Sequence, residues 1–148
     1  MKSKKSECIP SENLETALHE LKKAGLKVTP TRKMVLLHLT NAHGPFSIEE
    51  IHAGIKGKSC NLTTIYRIIS HLEAIGLVRR TDLGDGVARY EYHCAEHPHH
   101  HLICRECKRI EIIDRDLFPE IEEVAKSKGF VQINPCFEIY GVCKNCAA

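Results

Sequence analysis

Two C-x-x-C pairs, Cys104-Arg-Glu-Cys107 and Cys143-Lys-Asn-Cys146, constrain this chain more than any other feature. If both pairs serve one ion, the chain must carry its C-terminus back to residue 104 across a stretch long enough for secondary structure. Each pair can present two sulfurs about 2.3 Å from a zinc ion, and two pairs complete a tetrahedron that leaves no position for substrate. A redox dithiol is the rival use of such a pair, and two matched pairs favour metal. Binding free energy at a structural zinc site is folding free energy, about 10 to 16 kcal/mol in apparent terms for small zinc domains. Loss of one cysteine is therefore expected to unfold the domain that contains it.

The chain holds eight cysteines in 148 residues, which outside the cell would suggest a disulfide framework. No apolar run approaches the roughly 20 residues of a membrane span, and no apolar signal core follows Met1. A cytoplasmic protein is expected, with no membrane partner and with its paired thiols as metal ligands. Cys8 and Cys60, outside the pairs, suit free thiols.

Directly ahead of the first pair stands a second kind of ligand, in His97-Pro-His-His-His101. Side chains alternate faces in an extended segment, so His97, His99 and His101 would point one way and His100 the other. Glu91, eight residues before His99, can return a carboxylate to them. Nitrogen and oxygen ligands hold Zn²⁺ or Fe²⁺ less tenaciously than four thiolates do, which suits an exchangeable, regulatory ion beside a structural one. A solvated histidine-rich loop is the plainer alternative. Between the cysteine pairs, Arg109 to Asp114 predicts a strand, Leu117 to Lys128 a helix ended by Gly129, and Val131 to Val142 a strand interrupted by Pro135. So small a unit cannot bury a large core, so a zinc staple and a partner subunit are both expected.

The first part of the chain reads differently. Residues 1–11 are expected to be a mobile tail. Leu14, Ala17, Leu18, Leu21 and Ala24 recur at helical spacing up to Gly25, and Thr29-Pro30 caps a second helix that must end before Gly44-Pro45. Ser47 and Glu50 form a capping box for a short third helix, with Phe46 placed to staple onto Ile51. A fourth helix, from about Asn61 to Ile75, carries Leu62, Ile65, Ile68, Ile69, Leu72 and Ile75 as one apolar stripe. Turning 100° per residue groups Thr63, Tyr66, Arg67 and Ser70 on the opposite face, with Thr64 beside them. Hydroxyls, an aromatic ring and a guanidinium can contact phosphates and base edges, although an ordinary solvated face has the same composition. Leu77 to Thr81 and Val87 to Tyr92 then predict a hairpin turned at Leu83-Gly84-Asp85-Gly86. Helices followed by a hairpin describe a winged helix, whose last helix enters the major groove while Arg79, Arg80 and Arg89 stand near the backbone. The charge agrees, since residues 1–92 hold 14 Lys and Arg against 10 Asp and Glu, and residues 93–148 hold 7 against 9. The fold class expected is α+β, with a winged-helix DNA-binding domain over 12–89 and a hinge, metal-binding and small α/β dimerisation domain over 90–148.

Several motifs together are similar to one family. Leu21-Lys-Lys-Ala-Gly-Leu-Lys-Val-Thr-Pro-Thr-Arg32, Asn61-Leu-Thr-Thr-Ile-Tyr-Arg67, Arg89-Tyr-Glu91, His99-His-His-Leu-Ile-Cys104 with Cys107, and Tyr140-Gly-Val-Cys143 with Cys146 resemble the signatures of the ferric uptake regulators, bacterial metal-dependent repressors. The resemblance runs from Leu18 to Cys146. It implies a homodimer that binds a palindromic operator in double-stranded DNA, a structural Zn²⁺ on Cys104, Cys107, Cys143 and Cys146, and a regulatory metal near the hinge. Carried over by position, the regulatory ligands are Glu91, His99 and His101, with His43 as the N-terminal histidine. Gly44, Pro45 and Phe46 separate His43 from Ser47, farther than in the family pattern. A further metal site of several members would draw on positions held here by Pro98, His100, Pro119 or Glu120, and Pro135, so it is absent or rebuilt with Cys136. The acid that follows the cysteine knuckle is also shifted, with Glu111 preceding Ile112. Cys94, His97, His100, Glu120 and Cys136 are the candidates for additional ligands. The corepressor is Zn²⁺ or Fe²⁺, with Mn²⁺ as a third choice, and Cys94 as a softer ligand inclines the choice to zinc. A peroxide-sensing regulator of the same family is the alternative. No enzyme is expected, and no small organic substrate. A zinc hydrolase could use His99, His101 and Glu91 with Glu96 or Glu106 as base, but nothing else resembles a substrate pocket. A metal-buffering protein would account for the histidines and not for the winged helix.

Overall fold

The computed structural model describes residues 10–42, 44–55, 60–93, 100–113, 118–133 and 137–148. His43, Cys94, His97, His99 and Cys136 lie outside the described residues, as do most of the expected tail and residues 56–59. Two compact units divide the chain, Met1–Cys94 and Ala95–Ala148.

In the first unit, helix α1 spans Pro10–Lys23 and so begins inside the expected tail; α2 spans Pro30–Asn41, α3 Ile48–Gly54 and α4 Leu62–Ala74. Their ends follow from local chemistry. The Thr29 hydroxyl accepts from the Arg32 N–H at 3.2 Å, and Pro30 fills the first helical turn, where a missing N–H costs nothing. Ser47 Oγ accepts from the Glu50 N–H at 3.2 Å while Glu50 Oε2 accepts from the Ser47 N–H at 2.7 Å, the reciprocal pair that opens α3. Asn61 caps α4. At its other end Gly76 adopts a φ of 77°, which lets Gly76 N–H reach the Glu73 carbonyl and Leu77 N–H the Leu72 carbonyl at 2.9 Å.

Strands β1 (Phe46–Ser47), β2 (Val78–Asp82) and β3 (Ala88–Tyr92) form an antiparallel sheet in the order β1-β3-β2. Strand β1 has no counterpart among the elements the sequence predicts. It is two residues long, and the residue preceding the capping box uses its extended backbone to pair Phe46 with Tyr90. The expected boundary after residue 89 falls inside β3, which pairs through Tyr92 with Val78 and stays whole in the first unit. The core lies beneath α4, where Ile65, Ile69 and Leu72 meet Leu21, Leu36 and Ile51, all nearly inaccessible to solvent. One stripe residue departs from expectation, because Leu62 is 44% exposed. It sits 60° of helix rotation from Ile65, at the margin of the stripe and in the first turn, where α4 has not yet reached the core.

The second unit comprises β4 (His100–Cys104), β5 (Ile110–Ile113), α5 (Phe118–Ser127) and β6 (Glu138–Gly141). The central β4 pairs antiparallel with β5 and parallel with β6. The last strand is shorter than expected. Gln132 takes a φ of 54°, outside the extended region, residues 131–133 are not strand, and β6 runs Glu138–Gly141. Among the described residues of this unit, the buried apolar side chains are Ile103 and Cys104, while Val124, Phe130, Val131, Leu102 and Ile139 are 43% exposed or more.

Candidate metal centre and nucleic-acid face

Parallel pairing of β4 with β6 determines where the cysteines go. The register sets Cys104 opposite Gly141, so both strands end at the same edge and each runs directly into its own knuckle. Arg105 N–H donates to the Gly141 carbonyl at 2.8 Å, which ties the first knuckle to the end of β6. Within the knuckles, Lys108 N–H returns to the Cys104 carbonyl at 3.0 Å and Cys146 N–H to the Cys143 carbonyl at 2.9 Å. The first turn closes with Lys108 at a φ of 61°, a left-handed position that a non-glycine residue holds here with its ammonium on the Arg105 carbonyl.

The four sulfurs converge, all lying within 4.8 Å of one another. Sulfurs on a tetrahedron with 2.3 Å metal arms stand about 3.8 Å apart. Cys107 Sγ and Cys143 Sγ are 3.8 Å apart, far beyond disulfide length and at the edge length of that tetrahedron. The donor set therefore fits zinc. Local hydrogen bonds already favour one thiolate, since Cys143 N–H donates to Cys104 Sγ at 3.3 Å and, with the N–H groups of the first knuckle, brings the Cys104 thiol down to about 6. Cys146 is pushed up to about 12, chiefly by side-chain hydrogen bonds with Cys143 and Cys107. Four thiols this close cannot all ionise without a cation among them, and a divalent ion supplies the compensating charge.

Of the expected regulatory ligands, Glu91 and His101 are described. His101 is 1% exposed in β4, and its N–H donates to the Phe137 carbonyl at 3.1 Å. His100, on the opposite face of the strand, is equally buried and packs against Phe137 with ring centroids 4.9 Å apart. Glu91 is buried in β3, where its Oε1 accepts from both Arg79 Nε, at 3.1 Å, and Arg79 Nη2. Glu120, offered as an additional ligand, is exposed in the first turn of α5.

The first unit presents the other chemistry. Thr63, Tyr66, Arg67 and Ser70 are exposed along α4, and Tyr66 retains 57% of its surface. Thr64 is different, because its hydroxyl turns back to Asn61 Oδ1 at 3.0 Å while its N–H bonds the same oxygen at 2.9 Å. It belongs to the helix cap, one 100° step away from Thr63. A cleft of about 580 Å³ separates the start of α4 from the hairpin, lined by Leu62, Thr63, Tyr66, Val87, Ala88 and Tyr90. The hairpin arginines are less available than their sequence suggests. Arg79 holds Glu91, and Arg89 holds both oxygens of Asp85 at 2.9 and 2.8 Å, which leaves Arg80 as the exposed one of the three. Those bonds from Arg89, with the Val87 N–H, draw the Asp85 carboxyl down to about 2. They brace the turn that carries Gly84 and Gly86.

Known proteins match this arrangement. The ferric uptake regulator family model matches residues 23–140. The peroxide-responsive repressor of Staphylococcus epidermidis is 32% identical over 136 residues, covering 90% of this chain and 89% of that protein. The ferric uptake regulator of Helicobacter pylori, whose structure reveals three functional metal binding sites, superposes with a TM-score of 0.74 at 29% identity over 99% of this chain and 98% of that one. The ferric uptake regulator of Pseudomonas aeruginosa, solved with manganese, gives a TM-score of 0.72 at 29% identity, covering 86% of this chain and 98% of that one. No helix among the described residues is long and apolar enough to cross a membrane. The chain belongs to the ferric uptake regulator family.

Proposed function

We propose that this protein is a metal-responsive transcriptional repressor that binds DNA as a homodimer in the cytoplasm. Cys104, Cys107, Cys143 and Cys146 hold a structural Zn²⁺ that makes the second unit foldable. The observation that carries the reading is the pairing, in one chain, of this four-sulfur cluster with a winged helix whose α4 exposes Thr63, Tyr66, Arg67 and Ser70. Dimerisation is supported by the second unit's apolar surface, with Val124, Phe130 and Val131 each more than half exposed. Two copies of α4 related by a two-fold axis would read a palindromic operator one helical turn apart.

His99, His101 and Glu91, with His43 from the first unit, are the proposed ligands of the corepressor, Zn²⁺ or Fe²⁺ and less readily Mn²⁺. By linkage, operator DNA tightens metal binding by the factor by which metal tightens DNA binding, about 1 to 3 kcal/mol in typical cases. The test is a fluorescence anisotropy titration of operator DNA at buffered free Fe²⁺, Zn²⁺, Mn²⁺ and Ni²⁺. Binding that is the same with and without metal refutes the reading.

The likeness to the staphylococcal peroxide-responsive repressor supports a second reading, in which Fe²⁺ is the sensing ion. Peroxide would then abolish DNA binding by Fe²⁺-loaded protein and spare Zn²⁺-loaded protein. Equal survival of both forms excludes it.

A further inference from the structure

Resting on the reading of His101 as a ligand of the exchangeable ion, the register of the second sheet singles out a carboxylate that spacing along the sequence conceals. Residues abreast on neighbouring strands share a face of the sheet. His101 stands opposite Ile112 on β5 and opposite Glu138 on β6. Glu111, the acid that follows the cysteine knuckle, stands opposite Leu102 and so belongs to the other face, where Arg109 Nη2 pairs with it at 2.8 Å on the exposed surface. The face of His101 continues with Ile103, Ile110, Ile112 and Tyr140, and Glu138 is its one carboxylate among the described strand residues.

Glu138 is also held in place. Its Oε2 accepts from the Tyr140 hydroxyl at 2.8 Å, two residues along the same face, and the side chain is half-buried. A carboxylate carries lone pairs on both oxygens, so one hydrogen bond orients the group and leaves acceptor capacity on Oε1. Neighbouring strands lie about 4.8 Å apart. Side chains abreast at that spacing can converge on one ion whose nitrogen and oxygen donors each stand about 2.0 to 2.2 Å away.

We propose that Glu138, steadied by the Tyr140 hydroxyl, gives a carboxylate oxygen to the divalent ion that His101 binds, a part that apolar Ile112 on the other flank cannot play. Full-length protein with its cysteine-bound zinc is titrated with Co²⁺ against a competing chelator, reading the dissociation constant and the visible absorption of the ion. Glu138→Gln weakens binding at least about tenfold, the lower end of what loss even of an outer-shell partner costs, and changes the Co²⁺ spectrum. Tyr140→Phe weakens it by a smaller factor, and Glu111→Gln leaves it as in the wild type. If Glu138→Gln binds Co²⁺ like the wild type while His101→Ala loses it, the assignment of Glu138 is overturned and the His101 site stands. If His101→Ala also binds like the wild type, the underlying reading falls. Should Glu138→Gln not fold, Glu138→Asp and Tyr140→Phe carry the test, and wild-type affinity and spectrum in both overturn the proposal.

Discussion

Replacing Cys104 with serine separates a folding role for the cysteine cluster from a merely decorative one. Among its described residues the second unit buries just Ile103 and Cys104 as apolar side chains. Two buried apolar side chains among the described residues are a small core, and zinc bound at the four sulfurs would contribute about 10 to 16 kcal/mol in apparent terms to folding. Cys104 is the most buried of the four ligands and also receives the Cys143 N–H, so a hydroxyl there loses the metal arm and weakens the link between the knuckles. The expected outcome is a chain that retains no zinc after dialysis, elutes as monomer or aggregate, and loses its sheet to limited proteolysis while residues 10–93 resist. Because the first unit has its own core, its thermal transition should persist close to that of the wild type. A dimeric Cys104→Ser protein with stoichiometric zinc and an unchanged second transition would show that the cluster does not hold the second unit together.

Three further outcomes follow from the same structure. Leu72→Ala should destabilise the first unit by about 2 to 5 kcal/mol in chemical denaturation, because Leu72 is wholly buried in a close-packed cluster. Arg67→Ala should weaken operator binding by about 1 to 3 kcal/mol, whereas Thr64→Val should leave affinity unchanged, since the Thr64 hydroxyl serves Asn61; the reverse ranking would reassign the face. The Asp85 carboxyl, drawn from 3.8 to about 2 by Arg89, adds stability that is present above its ordinary value and lost as pH falls through about 2. Carboxyl-detected NMR should place its midpoint near 2, and Arg89→Ala should return it toward 3.8.

Local signals carried most of the first unit. Thr29-Pro30, the Ser47–Glu50 box and the glycine closing α4 act within a turn of the helix, and each stands where its spacing implies. The cysteine spacing was equally legible, because the coordination geometry of zinc is local to each pair. What escaped depends on partners distant in sequence. The parallel β4–β6 ladder and the two-residue β1 are set by pairing between strands far apart in the chain. Arg79 and Arg89 looked free for phosphate until the hairpin register brought Glu91 beside one and the turn folded Asp85 onto the other. Leu62 satisfied helical periodicity and still faces a cleft, because periodicity assigns a face and not the reach of the core. Glu138 carried no signal in the sequence, since nothing 37 residues away marks it as the neighbour of His101.

Coupling between metal and DNA is what makes this protein a regulator, and a single titration measures it. Wild-type protein and His101→Ala, both carrying zinc on the four cysteines, are titrated against operator DNA across buffered free Zn²⁺ and Fe²⁺. Metal should tighten wild-type binding by a factor of about 5 to 150, while His101→Ala keeps its dimer and its weak, metal-independent binding. Equal metal response in the two proteins, or none in the wild type, would contradict that coupling.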